Sequence, residues 1–157
     1  MDFRLLFAHS QAQSPRRGGY AAGVPDASTL TSVLVADDDD QLLRLCSRLL
    51  TRAGYAVLPA RDGEEALRVF REHSGTISSV VLDATLEPGG AAAVFEEMAR
   101  IRGDLHAIFM GGDAPPPPLC ELIANQRAVF LHKPFPGAAL VRAVADERPQ
   151  SEVACGE

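Results

Sequence analysis

The stretch SVLVADDDDQLLRLCSRLLTRAG, Ser32 to Gly54, decides the fold. Its first five residues are a short, β-branched apolar run, and a run that is apolar throughout belongs to a strand covered on both faces. From Gln41 to Arg52 the apolar residues Leu42, Leu45, Cys46, Leu49 and Leu50 recur at helical spacing, and Gly54 supplies a stop. One strand leading directly into one helix is the repeating unit of an α/β sheet. Four consecutive carboxylates, Asp37 to Asp40, stand at the junction, where each favours water or a cation.

The same alternation continues along the chain. Tyr55 to Pro59 reads as a second strand, and Asp62 with Glu65 three residues on has the form of a helix start, opening a helix that buries Ala66, Val69 and Phe70. Ser79 to Leu82 is a third strand, followed by a helix over Ala91 to Arg102 carrying Val94, Phe95, Met98 and Ile101. Ala107 to Met110, Leu119 to Ala124, Ala128 to Leu131 and Gly137 to Ala145 complete the alternation as strand, helix, strand and helix. Right-handed crossovers between such strands make the sheet parallel, with helices on both faces. The expected architecture is a doubly wound, flavodoxin-like (βα)5 sheet in strand order 2-1-3-4-5, and in such sheets ligands sit beyond the carboxyl ends of the strands.

Composition narrows the function. At 157 residues, 46% hydrophobic and 23% charged, the sequence fits one ordinary globular domain. Its net charge of −6, with no Lys/Arg cluster beyond Arg16 and Arg17, argues against a nucleic-acid surface. No apolar stretch reaches membrane-spanning length, and MDFRLLF is too short for a signal peptide, so neither membrane nor export is expected and the chain is placed in the cytoplasm. Three cysteines without CxxC spacing indicate neither a disulfide framework nor a zinc site. Residues 1–30, rich in Gly, Ser, Gln, Pro and Ala, are expected to form a disordered extension, residues 32–146 the domain, and residues 147–157 a flexible tail.

Charged residues follow three of the apolar runs. The first strand ends in Asp37 and Asp38, the third in Asp83, and the fifth in His132-Lys133-Pro134-Phe135. Two like charges about 4 Å apart repel by roughly 4 kcal/mol at an effective dielectric of about 20, so such a convergence either raises a pKa sharply or demands a cation. Oxygen donors without His or Cys favour Mg²⁺, and an Asp beside Mg²⁺ and a Lys is chemically suited to accept a phosphoryl group. Asp39 and Asp40 need only start the helix.

These stretches, VLVADDDDQLLRLCSRLL, GYAVLPARDGEEALRVF, SVVLDATLEPGG and FLHKPF, resemble the receiver domain of two-component response regulators over about residues 32 to 146. The resemblance implies that Asp83 is the phosphoacceptor and that Asp37 and Asp38 hold Mg²⁺ together with Asp83. It further implies that the backbone carbonyl of Thr85 completes the metal set, that Lys133 contacts the phosphoryl group, and that a cis peptide precedes Pro134. The implied donor is a histidine kinase or histidine phosphotransfer protein, and the chain is either a stand-alone receiver or part of a hybrid kinase. It is expected to turn over no external substrate. A Mg²⁺-dependent hydrolase would share the acid cluster, but it uses a second Asp two residues after its nucleophile, where this chain has Thr85. The remaining alternative is a protein-interaction module independent of phosphorylation.

Several positions depart from the family pattern. The Ser or Thr that bonds the phosphoryl group falls on Gly111, the aromatic of the fifth strand is Phe130, and the loop after the fourth strand runs through Pro115 to Pro118. Hydrogen bonds to charged groups are worth about 1.5 to 3 kcal/mol, so a missing hydroxyl weakens a two-state switch roughly 10- to 100-fold. Restoring it with Gly111→Thr is expected to strengthen the response.

Overall fold

A computed structural model describes residues 31–146, so the expectations for residues 1–30 and 147–157 lie outside the described residues. The elements run β1 (Ser32–Ala36), α1 (Asp40–Arg52), β2 (Ala56–Ala60), α2 (Gly63–His73), β3 (Ile77–Asp83), α3 (Gly90–Ile101), β4 (His106–Gly111), α4 (Pro117–Ala124), β5 (Ala128–His132) and α5 (Gly137–Ala145). All strand pairs are parallel and the order is β2-β1-β3-β4-β5, the doubly wound sheet expected from the sequence.

Two-residue periodicity divides the strands between two cores. Leu34, Ala36, Val80, Leu82, Ala107, Phe109 and Phe130 face α2, α3 and α4, packing with Phe70, Phe95, Met98 and Leu119. Val33, Val35, Val81, Ile108 and Met110 face α1 and α5, against Leu43, Cys46, Leu50, Leu140 and Val144. Both faces of β1, β3 and β4 are therefore buried, which is why these segments read as unbroken apolar runs. Phe95 and Phe109 meet edge to face with ring centroids 5.9 Å apart, an arrangement worth about 0.5–1.5 kcal/mol beyond its area.

Element ends differ from the sequence reading by a few residues, each for a local reason. β3 begins at Ile77 and continues through Asp83, because the polar pair Ser78-Ser79 sits inside the strand at a register shift opposite Ser32 and Val33. α4 begins at Pro117, since proline is tolerated in a first helical turn whose N–H groups have no intrahelical partner. β2 runs on to Ala60 through Pro59, which an edge strand accommodates. The Arg102 guanidinium donates to the carbonyls of Ser74 and Ile77, tying the start of β3 to the end of α3.

Because α1 lies on one face while α3 lies on the other, the connections leaving β1 and β3 diverge at their carboxyl ends. That divergence opens the crevice in which the charged residues meet.

Candidate functional site

Asp37 directly follows β1, Asp83 is the last residue of β3, and Lys133 is the first residue beyond β5. Asp37 and Asp83 are 1% and 3% exposed, and a buried charge persists only when paired. Lys133 supplies the pairing. Its Nζ donates to Asp83 Oδ1 at 2.7 Å and to Asp37 Oδ2 at 3.2 Å. The backbone directs it there, since the Lys133 N–H donates to the Gly111 carbonyl at 2.9 Å and extends the pairing of β4 with β5 by one residue.

The four-Asp run resolves into distinct roles. Asp37 Oδ1 accepts the Asp39 N–H at 2.8 Å and turns the chain out of the strand. Asp39 in turn caps α1, accepting from the N–H groups of Gln41 and Leu42 at 2.9 and 3.3 Å. Asp40 occupies the first helical turn and pairs with Arg61 at the surface. Asp38 stays exposed at the rim, yet it offers a carboxylate oxygen within 4.8 Å of those of Asp37 and Asp83. A set of hard oxygen donors converging at that spacing fits a small divalent cation such as Mg²⁺, which binds through few carboxylates and keeps several waters.

Electrostatics follow from burial. Desolvation raises the Asp37 pKa above its ordinary value, and the Asp83 charge adds to the rise, against the Asp39 N–H and the Lys133 charge, which favour ionisation. For Lys133, burial opposes the ammonium, but the hydrogen bond to Asp83 and the charges of Asp37 and Asp83 outweigh it and hold the pKa above its usual value. The ammonium therefore stays protonated at neutral pH. Burial and the nearby Asp37 push the Cys46 thiol up to about 11, so it is no nucleophile at neutral pH.

All four side chains singled out in the sequence, Asp37, Asp38, Asp83 and Lys133, thus meet at one end of the sheet. The Lys133–Pro134 peptide is cis, as the resemblance implies, and Glu87–Pro88 is cis as well. Two features were not read from the sequence. The side chain of Thr85, and not only its backbone, reaches the site: its hydroxyl donates to Asp83 Oδ2 at 2.5 Å and its N–H at 3.1 Å. The expectation for Gly111→Thr also needs correction, because a Cβ at Gly111 would lie 2.8 Å from Phe130 Cζ and 3.2 Å from Ala84 Cβ. The Phe130 ring already fills the space that a side chain at 111 would take.

Comparisons with known proteins agree with this fold. The response regulator receiver domain family matches residues 33–145. The transcriptional regulatory protein GlrR of Escherichia coli (strain K12) is 31% identical over 127 residues, covering 80% of this chain and 28% of GlrR. The sensor kinase CckA of Brucella abortus (strain 2308) is 31% identical over 110 residues, 70% of this chain but 12% of that kinase. The chain thus spans less than a third of the length of either relative. Among solved structures, a receiver domain protein from Clostridium thermocellum superposes with a TM-score of 0.67 at 26% identity, covering 75% of this chain and 94% of that one. The receiver domain of the hybrid histidine kinase CckA gives 0.63 at 27% identity, covering 74% and 97%. With the family spanning nearly the whole described domain, and with the acid cluster and lysine at the strand ends, this chain belongs to the receiver domains of two-component response regulators.

Proposed function

We propose that the domain accepts a phosphoryl group on Asp83 from a phosphohistidine donor, with Asp37, Asp38, Asp83 and the Thr85 backbone carbonyl holding Mg²⁺. The observation that carries this reading is the Lys133 ammonium bridging two buried carboxylates, Asp37 and Asp83, with Asp38 at the rim beside them. In the transfer, the donor's P–N bond breaks and a P–O bond forms to one Asp83 oxygen. Lys133 is placed to follow the negative charge from the carboxylate to the phosphoryl oxygens. Bound Mg²⁺ supplies the further positive charge that transfer between two anionic groups requires. Two residues beyond Asp83 stands Thr85 in place of a second acid, with its hydroxyl engaged by Asp83 itself, which speaks against the hydrolase reading.

The proposed donor is a histidine kinase or a histidine phosphotransfer protein. A groove of about 510 Å³ lies beside Lys133, lined by Leu42, Leu45, Leu49, Pro134 and Phe135, and Leu45 is 52% exposed there. Such an apolar strip next to the acceptor suits the apolar face of a donor helix. A cytoplasmic location belongs to the same proposal; no helix among the described residues is long and apolar enough to cross a membrane.

A phosphorylation-independent interaction module has one observation in its favour, the Phe130 ring in the place of a phosphoryl-binding hydroxyl. Incubation with acetyl phosphate and Mg²⁺, followed by intact mass, separates the two. The proposal expects a gain of one phosphate in the parent and none in Asp83→Asn. Equal masses with and without acetyl phosphate would favour the interaction module.

A further inference from the structure

We infer that the Thr85 hydroxyl is a latch on the acceptor carboxylate, holding Asp83 in a resting state from which it must be released before the site can be charged. The inference rests on the phosphoacceptor reading of Asp83. Each Asp83 oxygen has its own partners: Oδ1 receives Lys133 at 2.7 Å, while Oδ2 receives both the Thr85 N–H at 3.1 Å and the Thr85 hydroxyl at 2.5 Å. A carboxylate oxygen has two in-plane lone pairs, so two donors saturate Oδ2 and one leaves Oδ1 half open.

An acyl phosphate formed next to a metal ion needs both oxygens, one bonded to phosphorus and the other free to face the cation. Whichever assignment holds, Oδ2 must give up one of its two donors. The N–H is built into the turn and stays; the hydroxyl can leave by rotation of a single χ1 bond. Thr85 is exposed, so water satisfies the released hydroxyl, which keeps its own proton throughout. The turn itself does not need it. Backbone bonds from Leu86 N–H to the Asp83 carbonyl at 3.1 Å and from Ala84 N–H to the Met110 carbonyl at 2.7 Å fix the chain on either side. The hydroxyl therefore acts on the reactivity of Asp83 and not on the shape of the loop, which makes Thr85 a positioning residue.

The test compares the parent with Thr85→Val, which keeps the β-branched shape and loses the hydroxyl, and with Thr85→Ser, which keeps the hydroxyl. Two quantities are measured: the Mg²⁺ dissociation constant by calorimetry without any donor, and the initial rate of phosphate gain from acetyl phosphate at saturating Mg²⁺. Hydrogen bonds to charged groups set the upper scale, and exposure of the hydroxyl puts the effect below it, at roughly 3- to 10-fold. The latch predicts that Thr85→Val tightens Mg²⁺ binding by that factor if Oδ2 serves the metal, or raises the rate by that factor if Oδ2 attacks phosphorus. Thr85→Ser should match the parent in both. Unchanged or weakened values in Thr85→Val, or a Thr85→Ser that follows Thr85→Val, would overturn the latch while leaving the acceptor assignment standing. A parent that neither binds Mg²⁺ nor gains phosphate would overturn both.

Discussion

Gly111→Thr tests how β4 and β5 meet at the site. The new Cβ would lie 2.8 Å from Phe130 Cζ, closer than unbonded carbon atoms tolerate, and 3.2 Å from the Ala84 Cβ, a tight contact to which the neighbour must yield. Phe130 is only 4% exposed, and its ring also stacks edge-on against His132 with centroids 4.9 Å apart. Two outcomes are open to the folded chain: the strands strain to keep the ring in place, or the ring swings out to water. Overpacking a filled site costs about 1–3 kcal/mol, and exposing a buried aromatic costs a similar roughly 1.5–3 kcal/mol. Either route lowers stability by about 2 kcal/mol, a fall of roughly 10 °C in the melting temperature for a domain of this size. Phe130→Ala removes the obstruction but leaves a cavity, so it too destabilises alone, by about 3–5 kcal/mol. In the double variant the threonine occupies part of that cavity. Thermal denaturation of the parent, both single variants and the double variant should therefore show a combined loss smaller than the sum of the single losses, by about 1 kcal/mol or more. Additive losses, or a Gly111→Thr chain as stable as the parent, would show that the ring does not occupy the space.

Other predictions follow from the charges. Burial raises the Asp37 pKa, so its ionised form costs stability at neutral pH, a cost relieved as pH falls through the raised value. Asp37→Asn should accordingly raise the melting temperature without metal and abolish the gain from Mg²⁺, which in the parent reaches about 1.4 kcal/mol at ten times the dissociation constant; a variant that melts lower, or that keeps the gain, would count against this. His106 is held below its ordinary 6.5 mainly by burial, with its Nε2 3.3 Å from the Ala143 carbonyl and the Asp146 charge working in the opposite direction. A depressed histidine binds more protons unfolded than folded, so it stabilises the fold above pH 6.5 and that share is lost as pH drops further. His106→Gln should flatten the decline in urea midpoint between neutral pH and mild acid; an unchanged slope would assign the decline to other groups.

Much of this was legible in the sequence because burial on both faces writes itself as continuous apolar runs, and β1, β3 and β4 are buried in that way. Once the strand order is fixed, residues that directly follow a strand share one edge, which is why Asp37, Asp83 and Lys133 could be placed together although they lie far apart in the chain. What escaped depends on side-chain direction. Thr85 lies in a turn with no periodicity to reveal where its hydroxyl points, and the resemblance drew attention to its carbonyl alone. The missing side chain at Gly111 was legible as a lost hydrogen bond; that Phe130 fills the gap depends on the rotamer of a ring on the neighbouring strand, two positions before the residue opposite Gly111. The sequence reading starts β3 at Ser79, two residues late, where polar Ser78 and a register shift mask the extended backbone back to Ile77, and places β2 one residue early, at Tyr55 to Pro59 against Ala56–Ala60.

The most direct measurement of the central claim is a crystal structure grown with Mg²⁺ and beryllofluoride. The account predicts beryllium on a carboxylate oxygen of Asp83, a magnesium ion among Asp37, Asp38 and Asp83, and the Lys133 ammonium on a fluorine. Beryllofluoride bound elsewhere, or an acid cluster without the ion, would contradict it.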